Sequence, residues 1–190
     1  MPEDIRLGRA EAIAGAGPLF SLDGVAPRIA PDAWVAPTAA VIGDVEIGSQ
    51  SGVWFHCVLR GDTNFIRVGC RVNIQDGTII HINSGAFPTI IEDDVTIGHA
   101  AIVHACTLRA RAFVAMGATV LDGAVIETGG MLAAGSVLPP GRVIGPNQMW
   151  MGAPAKFKRV LEPEERAEFD GIAVHYAELA ARFARGLRPA

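Results

Sequence analysis

The chain has 190 residues and a formal charge of −4, and 50% of its residues are hydrophobic but only 6% are aromatic. Its 22 glycines and 12 prolines argue against a helical bundle, and no uncharged apolar run reaches the ~20 residues of a membrane span. The acidic balance and the presence of only two lysines argue against a nucleic-acid-binding surface.

The first segment, residues 1–20, is rich in Ala and Gly and is predicted to be an N-terminal extension. Residues 1–9 carry acidic side chains and show no basic region followed by an apolar core and a cleavage site. The three cysteines, Cys57, Cys70 and Cys106, form no CxxC pair, which favours free thiols in a reducing compartment. We therefore expect a cytoplasmic protein.

Aliphatic residues recur every six positions through most of the next segment, residues 21–150. This period fits short strands that are joined by corners and that each point one aliphatic side chain inward. Three strands make a coil of ~18 residues, and stacked coils bury their inner faces on one another. The inward residues are Val35, Val41, Ile47, Val53, Leu59, Val68, Ile74, Ile80, Ile91, Ile97, Val103, Leu108, Val114, Val120, Ile126, Leu132, Leu138 and Ile144.

The period predicts an all-β solenoid, a parallel β-helix of hexapeptide repeats. It is interrupted at residues 60–65 and again at 83–89, where we expect two loops. Handedness does not follow from the period, although hexapeptide repeats of this kind resemble the left-handed family.

The last segment, residues 151–190, holds a connector and the only helical pattern of the chain. Pro163 suits a first helical position, and two glutamates follow it in the first turn. An apolar stripe with spacings of 3 and 4 then predicts a C-terminal α-helix that packs on the solenoid or on a neighbouring subunit. The stripe consists of Phe169, Ile172, Tyr176, Leu179 and Phe183.

Three of the five histidines have a fixed relation to the six-residue period. His81 and His104 each follow an inward residue, and these two positions lie on one face, one coil apart, if the second interruption is an inserted loop. Their imidazoles are then ~4.8 Å apart and can share one metal ion. His99 lies on the preceding face, where it cannot easily reach the same metal within one chain.

A second subunit packed face against face can supply His99 to this pair, and a closed ring of three subunits repeats the site at every interface. Three His ligands leave one tetrahedral position for water, which is the arrangement of catalytic zinc. The spacing therefore favours a zinc site that is shared between neighbouring subunits.

Other polar residues gather along the same stretch of the chain: Arg60, Asp62, Asn73, Gln75 and Asp76. In a trimer, Arg60 can pair with Asp62 or Asp76 across the interface and fix its register. Gln75, which is neutral and both donates and accepts hydrogen bonds, can orient a metal-bound hydroxide without weakening it as a nucleophile. The alternative for Arg60-Gly61-Asp62 is a solvated turn.

Four segments resemble the γ-class carbonic anhydrase family: VWFHCVLRGD at 53–62, NIQDG at 73–77, IGHAAIVHAC at 97–106 and MGAPAK at 151–156. The resemblance covers roughly residues 21–180. It implies a left-handed β-helix homotrimer in which His81 and His104 of one subunit and His99 of the next hold zinc or another divalent metal. It also implies reversible hydration of carbon dioxide to bicarbonate, with five residues supporting the metal: Arg60, Asp62, Asn73, Gln75 and Asp76.

The chain departs from this family where active members carry two glutamates thought to relay protons. The corresponding places hold Thr63, Asn64, Asn83 and Ser84. Because a positioned proton-transfer group contributes ~10²–10⁴-fold, turnover is expected to be slow unless buffer or another side chain substitutes. Tyr176, the only tyrosine, is a candidate from the helix, although burial in the apolar stripe is the expected outcome.

Two other classes of function stay open. One is an acyltransferase or acyl-CoA thioesterase of the hexapeptide-repeat superfamily, but acyltransferases generally use one histidine as a base, and three histidines in register count against them. The other is a non-catalytic metal-binding protein, which the missing glutamates favour.

Overall fold

The computed structural model describes residues 17–189. These residues form a parallel β-solenoid of about seven turns and one C-terminal helix, the architecture of a left-handed β-helix of hexapeptide repeats. The fold predicted from the six-residue period is therefore confirmed. Most of the predicted extension, residues 1–16, lies outside the described residues, and Leu19–Phe20 already pairs with a solenoid strand.

The solenoid is a prism with three faces, each a ladder of parallel strands. The first face contains β1 (Leu19–Phe20), the starts of β4 (Ala40–Ile47) and β6 (Val58–Val68), β8 (Ile79–His81), β11 (Ile102–His104), β14 (Thr119–Val120) and β17 (Val137–Leu138). The second face contains β2 (Arg28–Ile29), the ends of β4 and β6, β9 (Thr89–Ile91), β12 (Thr107–Leu108), β15 (Val125–Ile126) and β18 (Val143–Ile144).

The third face contains β3 (Trp34–Val35), β5 (Gly52–Val53), β7 (Asn73–Ile74), β10 (Thr96–Ile97), β13 (Phe113–Val114), β16 (Met131–Leu132), β19 (Gln148–Gly152) and the antiparallel β20 (Ala155–Val160). Every residue predicted to point inward is at most 5% exposed. These side chains fill the narrow prism, and burying each one contributes ~1.5–3 kcal/mol before the conformational entropy cost is counted.

The two interruptions of the period have different structures. The prediction of a loop at residues 60–65 is wrong, because these residues lie inside the 11-residue strand β6. Strand β6 pairs with β4 on both sides of a prism corner, and a register shift between Gly43 and Val45 accommodates the bend. The second interruption is a loop between β8 and β9, as predicted.

The helix α1 (Pro163–Gly186) begins at the predicted proline. Its first turn is fixed by a capping box between Glu162 and Glu165. The helix lies over β3, β5 and β7 of the third face, where the rings of Tyr176 and Phe183 pack 5.4 and 5.1 Å from the ring of Trp54. The apolar stripe of the helix therefore packs on the solenoid of its own chain, which is one of the two partners predicted for it.

Among residues 17–189, no helix combines the length and the apolar character that crossing a membrane requires.

Candidate functional site

His81 and His104 end neighbouring strands of the first face. Strands β8 and β11 pair in parallel with His81 opposite His104, because the loop after β8 restores the register of the coils. The Nδ1 atom of His81 lies 3.2 Å from Nε2 of His104. The predicted stacking of these two imidazoles is therefore observed.

The outer ring nitrogen of each of these histidines contacts an aspartate. Nε2 of His81 is 3.2 Å from Oδ1 of Asp62, and Nδ1 of His104 is 2.5 Å from Oδ1 of Asp122. An ionised carboxylate only accepts hydrogen bonds, so both outer nitrogens carry a hydrogen. In the neutral imidazoles the two inner nitrogens then present lone pairs to each other.

Two facing lone pairs repel each other unless a cation lies between them. A metal ion between His81 and His104 would remove this repulsion by accepting both lone pairs. Two ligands at ~2.0–2.1 Å from a tetrahedral zinc ion are ~3.3–3.4 Å apart, and the observed separation is 3.2 Å. The pair therefore has the donor type and the spacing that a zinc ion requires from two of its ligands.

His99 lies at a corner between the third and first faces. Its Nδ1 atom is 3.0 Å from Oδ2 of Asp76, which occupies the same corner one coil earlier. Each of the three histidines thus has one ring nitrogen on its own aspartate. Within residues 17–189, however, no group of three or more His, Cys, Asp or Glu side chains is arranged to hold a metal ion. His99 does not complete the pair within one chain, as the period predicts.

Hydrogen bonds keep the two aspartates next to the His81–His104 pair ionised. Burial raises the pKa of Asp62, but hydrogen bonding from His81 and the charge of Arg60 outweigh it and leave that pKa below its ordinary value. Burial likewise raises the pKa of Asp122, and hydrogen bonds from Asn83 and His104 bring it below the ordinary value. The site therefore places negative charge behind both imidazoles.

The other predicted site residues divide between the surface and the space under the helix. Arg60 forms its ion pair with Asp62 of the same chain. Asn73 and Gln75 are buried on the third face, and Gln75 Nε2 donates to Asn73 Oδ1 over 3.0 Å. Within residues 17–189, no hydrogen bond joins Gln75 to His81, so its orienting role stays a prediction.

Tyr176 packs between the helix and the third face of the solenoid. It is half-buried beside Trp54, and burial, followed by the charge of Asp76, raises the pKa of its hydroxyl. The expected burial of Tyr176 in the apolar stripe is therefore observed, and its contribution to the site stays a prediction.

Asp122 contacts His104 but is not predicted from the sequence, and Asn83, which is predicted only to replace a proton-relaying glutamate, binds Asp122. Asn83 Nδ2 donates to Asp122 Oδ2 over 2.6 Å, on the side of the carboxylate away from His104. A signal is present in the sequence, because Asp122 follows His104 by 18 residues, the length of one coil. Residues one coil apart are stacked, so this spacing predicts contact.

The cysteines are free in the part of the chain that the structure describes. Cys57 and Cys106 are buried, and burial raises the pKa of the Cys57 thiol to about 12 and raises that of Cys106 as well. Cys70 is half-exposed. Buried thiols of this kind are unreactive, which agrees with the prediction of unpaired cysteines.

Comparison with known proteins identifies close relatives. A carbonic anhydrase of Geobacillus kaustophilus is 44% identical over 160 residues, covering 84% of this chain and 87% of that protein. Gamma carbonic anhydrase 2, mitochondrial, of Arabidopsis thaliana is 48% identical over 159 residues and 81% of this chain. The matched region spans only 57% of the length of that plant protein.

Solved structures show the same architecture. A hexapeptide transferase family protein of Anaplasma phagocytophilum superposes with a TM-score of 0.83 at 44% identity, covering 86% of this chain and 96% of that one. No protein-family model matches the chain.

Proposed function

We propose that this chain, which belongs to the gamma carbonic anhydrase family, assembles as a homotrimer with a divalent metal, zinc first, at each interface and reversibly hydrates carbon dioxide to bicarbonate. One observation carries the proposal. Two imidazole nitrogens face each other at 3.2 Å while an aspartate binds the outer nitrogen of each ring. Carboxylate–histidine pairs of this kind orient metal ligands.

The third ligand in this proposal is His99 of a neighbouring subunit. Asp76 binds its Nδ1 atom and leaves Nε2 to point away from the chain's own carboxylate, and the side chain is 45% exposed. Three apolar side chains on this side of the prism are also exposed: Ile79, Ile102 and Met116. Exposed apolar side chains around a polar cluster suit a protein–protein interface.

Zinc bound by three histidines lowers the pKa of water to ~7 and so supplies a nucleophile at neutral pH. The chain's own residues hold the ligands: Asp62 fixes His81, Asp76 fixes His99 and Asp122 fixes His104. Asn64 and Asn83 stand where the family resemblance expects proton-relaying glutamates, and an amide cannot accept and release a proton as a carboxylate does. We therefore expect proton release to depend on buffer.

The experiment measures metal content and stopped-flow carbon dioxide hydration after purification with Zn²⁺ or, anaerobically, with Fe²⁺ or Co²⁺. The expected result is about one metal per chain and a hydration rate that rises with buffer concentration. A trimer with bound metal that stays inactive between about pH 7 and pH 9 in concentrated buffer contradicts the proposed activity. That result favours a non-catalytic metal-binding protein instead.

A second candidate is acyl transfer. It is favoured by the His104–Asp122 pair, since a histidine held by a carboxylate can act as a general base on a hydroxyl or an amine, and by the name of the Anaplasma relative. Release of free thiol from acetyl-CoA with and without an amine or alcohol acceptor tests transferase and thioesterase activity together. Chelator-insensitive turnover in this assay supports the second candidate.

A cytoplasmic location remains a separate proposal, which cell fractionation tests.

A further inference from the structure

Asp122 accepts hydrogen bonds from two sides. Its Oδ1 atom is 2.5 Å from Nδ1 of His104, and its Oδ2 atom is 2.6 Å from Nδ2 of Asn83. Each carboxylate oxygen thus accepts one hydrogen bond, and His104 and Asn83 bind different oxygens. The side chain is 29% exposed, so water reaches it only in part.

Asn83 is itself held in place by the structure around its loop. Asn64 Nδ2 lies 3.4 Å from the backbone carbonyl oxygen of Asn83. The backbone N–H of Asn83 donates to the backbone carbonyl oxygen of Phe87 over 3.2 Å. The Phe87 ring packs directly against Gly123, where a Cβ atom would lie 3.2 Å from the ring. The loop between β8 and β9 is therefore attached to the corner that carries Asp122.

We propose that Asn83 and Asp122 form a positioning pair that sets the tautomer of His104 and so keeps its Nε2 atom available for a metal ion. Neutral imidazole carries its hydrogen on only one of its two nitrogens. A hydrogen-bond acceptor beside one nitrogen keeps the hydrogen there and leaves the lone pair on the other nitrogen. Asp122 holds that hydrogen on Nδ1. Asn83 directs the second carboxylate oxygen away from the ring and keeps the first one aimed at His104.

This inference rests on the proposed function only in naming a metal as the ligand of His104. Its sharpest test is the substitution Asp122→Leu, which keeps a side chain of similar size and removes both carboxylate oxygens. Nothing then accepts a hydrogen bond from Nδ1 of His104. The hydrogen of the neutral ring can move to Nε2, and that nitrogen no longer presents a lone pair to a metal ion.

A compensating variant exists because the two positions face each other. In the double variant Asn83→Asp/Asp122→Asn, the new carboxylate accepts from the NH₂ group of residue 122, whose oxygen again accepts from His104. We expect Asp122→Leu to weaken Zn²⁺ binding by ~10–100-fold, measured by competition with a chromogenic chelator, and the double variant to bind Zn²⁺ nearly as tightly as the unmodified protein. The control at another corner is Asp94→Asn, whose carboxylate binds Arg71 instead of a histidine. It should bind Zn²⁺ as the unmodified protein does.

A metal-free measurement separates this inference from the proposed function. In ¹⁵N-histidine-labelled His81→Ala protein, NMR at about pH 8 should show hydrogen on Nδ1 of His104, and adding Asp122→Leu should move it to Nε2. If the tautomer and the Zn²⁺ affinities follow this order but carbon dioxide is not hydrated, only the proposed activity is wrong. If Asp122→Leu leaves the tautomer unchanged, or if the double variant binds Zn²⁺ no better than Asp122→Leu, the positioning pair is wrong whatever the activity.

Discussion

The coils that carry the histidines differ from the coils that follow them. In the later coils, glycine occupies most corner positions with positive φ, as at Gly117 (+67°) and Gly135 (+65°), and Arg111 (+61°) is the exception. In the histidine-bearing coils the same backbone conformation is adopted by Ala100 (+56°) and Ala105 (+50°), which directly follow His99 and His104. An L side chain at such a φ costs roughly 1–2 kcal/mol relative to ordinary backbone.

The difference separates the coils that carry the proposed metal site from the regular coils of the same continuous fold. The later coils repeat without interruption from Leu108 to Ile144, and their inward side chains are fully buried. The earlier coils contain the long strand β6, an inserted loop and corners with strained residues. The proposed metal site lies in the irregular coils, whereas the regular coils carry none of its three histidines. The following four substitutions test that division.

The largest expected effect is the loss of metal binding in His104→Ala. This change removes one of the two facing nitrogens, so the loss of Zn²⁺ affinity should exceed the ~100-fold that removal of an outer carboxylate costs. Isothermal titration measures it. The exposed His175 on the helix is the matched control, and His175→Ala should bind zinc normally. Equal affinities in the two variants contradict the assignment of His104.

Leu132→Ala in the regular coils should act on stability alone. Leu132 is fully buried, and truncating a buried leucine costs about 2–5 kcal/mol. Urea unfolding followed by circular dichroism measures the loss. The Zn²⁺ affinity of the folded protein should stay unchanged. A fall in Zn²⁺ affinity together with stability would contradict the separation of the metal site from the regular coils.

Gly135→Ala isolates the backbone cost at a regular corner. Apart from its two chain neighbours, no described residue has an atom within 4 Å of a Cβ placed there, so only the φ of +65° opposes the substitution. We expect a loss of about 1–2 kcal/mol in the free energy of unfolding. An unchanged free energy of unfolding would contradict this prediction and show that the corner backbone adjusts to a side chain.

Ala100→Gly is the reverse change at the corner next to His99. It removes the strain of a side chain at +56° but adds freedom to the unfolded chain, so the net gain should be small, about 0.5 kcal/mol. Urea unfolding should therefore show opposite signs for Ala100→Gly and Gly135→Ala. The same sign in both variants contradicts the strain ascribed to the histidine-bearing coils.

The period of the sequence predicts every inward residue because burial in a solenoid is a local, repeating property. It also predicts that His81 and His104 are neighbours, since residues one coil apart are stacked. It does not predict that residues 60–65 continue a strand, because that depends on a simultaneous bend in β4. The burial of Asn73 likewise depends on where the helix docks, which no local pattern specifies.

The central claim is that each metal site takes His81 and His104 from one subunit and His99 from the next. The most direct measurement mixes His81→Ala subunits with His99→Ala subunits and determines the Zn²⁺ content of the mixed trimers. Each parent trimer lacks a ligand at every interface, whereas a mixed trimer contains one interface with all three histidines. The account predicts that only mixed trimers bind zinc tightly, at one site each, and absence of recovery in them contradicts a shared site.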